Sequence, residues 1–321
     1  MDFHKISLQD KGWVEQLLSW SDYNSCEYSF SSLLNWSHIH QTEVCRMGDF
    51  GIVRSGFKEF SYLYPFGRGD VAPVIEAILQ DARENQVTPT ISLVLEPMKQ
   101  QLQTLFPDRF CFEEERAYFD YIYTFDTLAY LKGRNLSGKR NHINTFHKMY
   151  EGRWSFETIT PENIGECVQM NQEWGQLNEL SLGSGLLKEK TALTTAFENF
   201  FEEGLRGGLL RLDGKVIAFT MGRPLNSDTF VVHFEKAFSD IRGAYQMINQ
   251  QFVLNCCQGY SFINREDDTG MEGLRKAKLS YLPEILLTKY NVRLIEDGGF
   301  LPGCQKAKQE QQEKYSRSQQ T

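Results

Sequence analysis

No CxxC pair occurs anywhere in the 321 residues. The seven cysteines are odd in number and scattered, and only Cys256 and Cys257 are adjacent. That spacing supports neither a zinc ribbon nor a redox motif, and it reads as buried free thiols in a reducing cytoplasm. There is no run of the ~20 apolar residues that a membrane span needs. The opening "MDFHKISLQDKGWVEQLL" has no apolar stretch of signal-peptide type. Nor is there an excess of base: 34 Lys and Arg face 42 Asp and Glu, a net charge of -8. This balance argues against wholesale wrapping by nucleic acid or an anionic membrane and leaves room for a local basic patch. A cytoplasmic protein without stable membrane insertion is expected.

What is present is globular composition, with 41% apolar and 24% charged residues. The 23 Phe and 14 Tyr allow a substantial core, and the length suits two domains. Two stretches carry the same order of elements. "FGIVRSGFKEFSYLYPFG" reads as two alternating strands around Ser55-Gly56. "GRGD" and the helical stripe of Val74, Ile75, Ile78 and Leu79 follow, and then the strand "TISLVLEP". Further on, "GLLRLDGKVIAFTMG" is a hairpin at Asp213-Gly214 and "TFVVHFEKA" a strand. The loop "FSDIRGA" leads into the helix "YQMINQQFVLNCC", and "YSFIN" is the closing strand. An Arg-Gly pair opens the helix in both halves, Arg68-Gly69 and Arg242-Gly243. The reading is a structural duplication. Between the halves, "TPENIGECVQMNQEWGQLN" predicts a helix capped by Thr160, and residues 186–205 a second one. The polar stretch after Pro302 reads as a disordered tail.

Three places could carry chemistry. The first is "DIRGAY", where a helix N-terminus, Arg242 and Gly243 could cradle an anion, or simply turn. In the strand before it, His233 and Glu235 share one face and Lys236 points the other way. A His and a carboxylate beside such a loop suit proton transfer; exposure on an edge strand is the bland alternative. The second is a basic stretch between residues 131 and 153. Its six cations (Lys132, Arg134, Lys139, Arg140, Lys148, Arg153) face one acid, Glu151, and Asn141 and Asn144 add neutral donors. It is either a dock for phosphates of a cofactor, tRNA or lipid headgroup, or a solvated helix face. The third is "INREDDTGMEGLRKAKLSYLP". Asn264, Glu266 and Asp268 should alternate on one side of an extended end, with Arg265 and Asp267 on the other. Glu266, Asp267 and Asp268 could hold a divalent metal, but no second acidic cluster stands near. Arg275, Lys276 and Lys278 are within reach, so an ion-paired network is favoured over a metal. Lys278 and Tyr281 could donate protons or bind phosphate, and Tyr281 could equally be a buried structural residue.

"GKRNHINTF", "HFEKAFSDIRGAYQMINQ" and "INREDDTGMEGLRKAKLSYLP" together resemble a bacterial family related to the C-terminal domain of phosphatidylglycerol lysyltransferases. The family is similar in plan to the Fem aminoacyltransferases of peptidoglycan synthesis. The likeness runs to about Leu294. It implies an α/β (α+β) fold of two tandem GNAT-like (acyl-CoA N-acyltransferase-type) domains, each a mixed, mostly antiparallel sheet flanked by helices. The expected units are residues 1–125, residues 126–300 carrying the site, and a tail of 301–321. It implies an acyltransferase or aminoacyltransferase. The donor substrate would be an acyl-CoA or an aminoacyl-tRNA, without a metal cofactor, and the acceptor an amine or a lipid hydroxyl. Glu235, Glu266, His233 and Tyr281 would be catalytic. Arg242, Gly243, Ala244, Lys139, Arg140 and Asn141 would hold the donor, and Asn264, Arg265, Asp268, Arg275 and Lys278 the acceptor. The loop departs from the glycine-rich acetyl-CoA pattern, since it offers only Gly243 and Ala244, which leaves tRNA open as a partner. A non-catalytic ligand-binding or regulatory protein on the same duplicated fold is the competing reading.

Overall fold

The computed structural model describes residues 1–295, apart from the side chains of 179–184 and 186. The expected tail at 301–321 lies outside the described residues.

Two sheets organise the molecule. The first runs in the order His4–Lys5, Glu43–Met47, Phe50–Gly56, Phe60–Leu63, Thr90–Leu95, Lys289–Leu294, Phe110–Glu114, and Phe66–Gly67 is attached to Phe50–Gly56. The second runs Ile285–Leu287, Asp120–Thr124, Phe262–Asn264, Thr229–Ala237, Lys215–Pro224, Arg206–Leu212, Trp154–Thr158. Each is antiparallel but for one parallel pair, Phe60–Leu63 beside Thr90–Leu95 and Thr229–Ala237 beside Phe262–Asn264. Parallel neighbours need a crossover. The helices Ala72–Glu84 and Ala244–Cys256 supply it in the two halves, so the duplicated order read from the sequence is a duplicated structure.

The sheets also exchange strands. Asp120–Thr124 follows Phe110–Glu114 of the first sheet in sequence and pairs in the second, against Phe262–Asn264 and Ile285–Leu287. Lys289–Leu294 leaves the second sheet and inserts in the first, between Thr90–Leu95 and Phe110–Glu114. Each half is thereby closed by a strand from beside the other.

Apolar periodicity explains the packing. On Ala244–Cys256, Ala244, Met247, Ile248, Phe252, Val253 and Cys256 are buried. They meet Tyr121, Tyr123, Phe146 and Phe230 on one face of the second sheet. The helix Ile164–Glu198 covers the other face through Cys167, Met170, Trp174, Leu193 and Ala196. Each large apolar side chain so buried contributes about 1.5–3 kcal/mol.

Local expectations differ from the structure at three points. The turn expected at Ser55-Gly56 falls at residues 57–59, and Gly56 ends its strand at φ 141. A Cβ on Gly56 would sit 2.2 Å from the Glu59 carbonyl oxygen, so the glycine serves close backbone approach and not the turn itself. The two helices expected over 160–178 and 186–205 are one helix from Ile164, followed by Phe200–Glu203, and the cap is Asn163 and not Thr160. At Asp213-Gly214 both residues have positive φ (50 and 82), the two-residue turn that strand twist favours.

Candidate active site

The parallel pair of the second sheet is short. Its last register pair is Val231 with Asn264, yet the longer strand continues to Ala237. The two backbones part and leave a wedge, in which Glu235 and Arg265 meet.

On one side of the wedge, Arg265 Nη2 donates to Glu235 Oε1 at 2.9 Å, and Asn249 Nδ2 donates to Glu235 Oε2 at 2.9 Å. The Arg265 guanidinium lies 5.0 Å from the Tyr281 ring centre and 5.8 Å from that of Tyr123. Lys139 Nζ lies 4.0 Å from the Tyr281 ring centre. Burial, and then the Arg265 charge, lower the basicity of Lys139. Two cations therefore flank one tyrosine, and one of them, Arg265, is paired with Glu235. Arg265 Nη1 and Asn249 Oδ1 are buried without a partner. Burial holds the Tyr281 phenol protonated far above its usual range.

Deeper in, His233 Nδ1 meets Glu266 Oε1 at 2.8 Å, and His233 Nε2 meets Ser29 Oγ at 3.3 Å. Burial and the nearby Arg223 charge press the His233 pKa down to about 3. Burial, opposed by Lys278 and reinforced by Asp120 and Glu27, lifts that of Glu266 to about 8. Asp267 is raised to about 7 by burial, against the pull of Lys289. Glu266 stands at φ 56. Left-handed backbone at a side chain with a Cβ costs on the order of 1 kcal/mol or more. It ends the alternation expected from Asn264 onward, and the five residues 264–268 reach separate targets.

Below lies an ammonium with no access to water. Lys289 Nζ is 2.7 Å from Asp120 Oδ1, 2.7 Å from both Glu27 oxygens and 3.8 Å from Cys26 Sγ. Burial opposes its charge, but Asp120, Cys26 and Glu27 hold it well above its usual range. Ligand atoms of Cys26, Glu27, Asp120 and Asp267 gather within 4.8 Å, and the cation they surround is Lys289. Asn264 Nδ2 joins Asp120 Oδ2 to the Asn24 carbonyl oxygen, at 2.9 Å each, and ties the second sheet to a loop of the N-terminal half.

Other residues from the sequence reading have protein partners. Asp268 is fully buried and accepts from Arg275 (2.9 Å twice), Arg116 (3.1 Å), Tyr121 (2.5 Å) and the Gly270 backbone (2.9 Å). Lys278 Nζ donates to the carbonyls of Arg265 (2.6 Å) and Asp267, fixing the turn. Arg140 donates to the Leu131 and Gly133 carbonyls. Arg242 and Asn141 are exposed. Gly243 (φ 87) and Ala244 are buried, and a Cβ on Gly243 would sit 2.6 Å from the His142 carbonyl oxygen. The close approach at that glycine is to the helix Ser137–Met149, so Gly243 serves the packing of two helices.

Sequence reasoning missed Glu27, Ser29, Asp120, Asn249 and Lys289. Two left a signal: Asp120 in "YFDYIYTF" and Lys289 in "LLTKYNV" are lone charges inside apolar strands, and a charge placed there needs a buried partner.

A second buried acid lies behind Arg223. Glu203 accepts from Asn35 Nδ2 at 3.1 Å, its Oε1 has no partner, and burial raises its pKa to about 7. The unfolded chain gives up this proton near pH 4.5 and the folded chain keeps it, so stability should fall as pH rises from there to about 7. Glu266 and Asp267 act in the same direction. We expect the unfolding free energy, and with it the melting temperature, to drop between pH 5 and pH 8, and Glu203→Gln to remove up to about 3 kcal/mol of that loss of stability. Thermal denaturation across pH checks it, and a variant with an unchanged pH slope would refute it.

Two sheets, each with one parallel pair bridged by a crossover helix, and a polar wedge in the second, define a tandem GNAT-like protein. Comparison with known proteins narrows this class. The chain belongs to the family "Phosphatidylglycerol lysyltransferase, C-terminal", which it matches over residues 21–293. A conserved protein of unknown function from Bacteroides thetaiotaomicron superposes with a TM-score of 0.88 at 40% identity, over 92% of this chain and 100% of that one. The C-terminal domain of a proposed lysylphosphatidylglycerol synthetase from Agrobacterium fabrum gives 0.66 at 16% identity, over 91% and 94%. FemX gives 0.54 at 11%, over 90% and 97%. The last two share the fold. A curated relative from Mycoplasmoides gallisepticum is 26% identical over 55% of this chain, and the match spans 56% of that relative's length. No helix among the described residues is long and apolar enough to cross a membrane.

Proposed function

We propose that the protein is an aminoacyltransferase that moves an aminoacyl group from a tRNA ester to an amine or a lipid hydroxyl by direct attack. The observation that carries this is the convergence of unsatisfied positive groups in the wedge. Arg265 Nη1 is buried without a partner, Lys139 stands on Tyr281 against the Arg265 charge, and the Tyr281 hydroxyl has no hydrogen-bond partner among the described residues. Donors left open in a buried place suit the carbonyl oxygen and nearby phosphate of a donor, where charge grows in the transition state. The loop at Gly243 and Ala244 lacks the several glycines of an acetyl-CoA loop, which favours tRNA over acyl-CoA as donor.

In this reading the acceptor attacks the ester carbonyl, the acyl C–O bond breaks and the ribose oxygen leaves. Glu266, with its proton affinity near neutrality and its link to His233, is the base. Glu235 is held on both oxygens by Arg265 and Asn249 and acts to position Arg265. Tyr281, held protonated, gives its proton to the leaving oxygen. The test is transfer from radiolabelled aminoacyl-tRNA to phosphatidylglycerol vesicles or to soluble amines, with calorimetric titration of acyl-CoAs alongside. Labelled product, with donor KM raised about 10-fold or more in Lys139→Ala, is the expected result. Micromolar acyl-CoA binding with no tRNA-dependent product would overturn the choice of donor.

A further inference from the structure

The wedge explains Glu235, Arg265 and Tyr281, but not why His233 turns its far nitrogen away from it. Nε2 points at Ser29 Oγ, 3.3 Å away, on a segment from the other half of the molecule. Ser29 occupies the N-cap of the helix Phe30–Asn35 with extended backbone (φ -116, ψ 133), yet its hydroxyl makes no cap bond. A serine cap is worth about 1 kcal/mol, and here the hydroxyl faces the histidine instead. Ser29 lines a pocket of about 340 Å³ between the halves, together with Tyr28, Glu15, Arg223, Asn226 and Ser227. Ser29 is 3% exposed, so its hydroxyl stands at the inner wall of that pocket, next to the buried histidine. Arg223 brings a positive charge to the same wall and bonds Ser31 Oγ at 3.2 Å.

Serine, histidine and carboxylate thus stand in the order of nucleophile, base and orienting acid. We infer that Ser29, His233 and Glu266 form a nucleophilic relay that gives the chain an esterase activity toward small activated carboxylic esters entering this pocket. Ser29 Oγ bonds to the ester carbonyl carbon and its proton passes to His233 Nε2. The ester C–O bond breaks, and the leaving alkoxide takes that proton. Water then attacks the acyl-serine, giving its proton through the same nitrogen to Ser29 Oγ, and the carboxylic acid departs. Nothing is oxidised or reduced. This goes beyond the transfer reaction: it needs no tRNA, and although it shares Glu266 with that reading, Ser29 belongs to the relay alone, so Ser29→Ala separates the failure of one from the failure of the other.

The relay has one competent form. With Glu266 ionised, its charge opposes the burial and the Arg223 charge that weaken His233 as a base, Nδ1–H donates to it and Nε2 is free to accept from Ser29; with Glu266 protonated, Nε2 carries the hydrogen. Lys278, Lys289, Asp120 and Glu27 face Glu266 from four other elements, and Arg223 acts on His233. The competent form grows as pH rises through about 8.

The probe is an ethyl fluorophosphonate applied to the whole protein at pH 9, read by intact mass and peptide mapping. We expect one adduct, on Ser29, that forms faster at pH 9 than at pH 6, is absent in Ser29→Ala, and forms at least about 100-fold more slowly in His233→Gln. Should His233→Gln fail to fold, Glu266→Gln, which keeps the shape of the carboxyl, must show the slowing. No adduct on the folded wild-type protein at pH 9, an adduct elsewhere, or equal rates in the relay variants would overturn the proposal.

Discussion

Lys289→Met will lower the stability of the protein by about 3–5 kcal/mol, the range seen when one partner of a buried ion pair is removed. The ammonium is fully buried and lies 2.7 Å from Asp120 and from both oxygens of Glu27. Methionine keeps the volume and deletes the charge, so two carboxylates are left facing each other, one of them wholly without water. Those carboxylates can be relieved only by taking up protons, so the deficit should grow as pH rises. Urea denaturation of Lys289→Met at pH 5.5 and pH 8.5 measures this. A second change, Asp120→Asn, should recover part of the loss, because the pair removed together leaves less buried charge than either alone. A variant within 1 kcal/mol of wild type at pH 8.5 would mean that the site is wetter than its geometry indicates.

Arg265→Ala should cut kcat/KM for aminoacyl transfer by about 10²–10³, the effect of losing one preorganised donor to a developing oxyanion. Arg265→Lys should not restore it, because a point charge cannot reach Glu235 and keep a second donor pointing into the wedge. The fold should survive, since Asn249 still holds Glu235. A further readout separates this from a packing defect. Arg265 depresses Lys139, so its removal should move the alkaline limb of the pH profile upward. Activity within twofold of wild type would take the donor carbonyl out of the wedge.

The sequence showed the duplicated order of elements because periodicity is local: alternation in "GLLRLDGKVIAFTMG" and the helical stripe in "VAPVIEAILQ" need no knowledge of the partner. It also singled out His233, Glu235, Arg265 and Glu266, since charges crowd where two strands part. It did not show how these charges are used. Asp268 reads like Glu266 in a string of letters, yet Arg275, Arg116 and Tyr121 saturate one while the other faces a histidine. Glu266 at φ 56 breaks the alternation that sorted the residues by side, and no residue type in "NREDDTG" announces that break. Ser29, Glu27 and Asn249 were out of reach because their roles come from elements far away in the chain. Arg242 and Gly243 were read by analogy with anion loops; the packing of Gly243 against the His142 carbonyl comes from a helix distant in sequence and was not legible there.

The exchanged strands set an order of events. A ribosome delivers Thr90–Leu95 and Phe110–Glu114 early, but the strand that belongs between them, Lys289–Leu294, is the last of the described strands to be made. During most of synthesis the first half therefore carries two open edges and a gap, and such edges invite pairing with other chains. The second half can take Asp120–Thr124 as soon as Phe262–Asn264 appears. The C-terminal half should thus acquire protected amides first and the N-terminal half last, the reverse of the usual vectorial order. The slow step is the closure of a long loop, and it also carries Lys289 to Asp120 and Glu27, so the half translated first is the last to become stable.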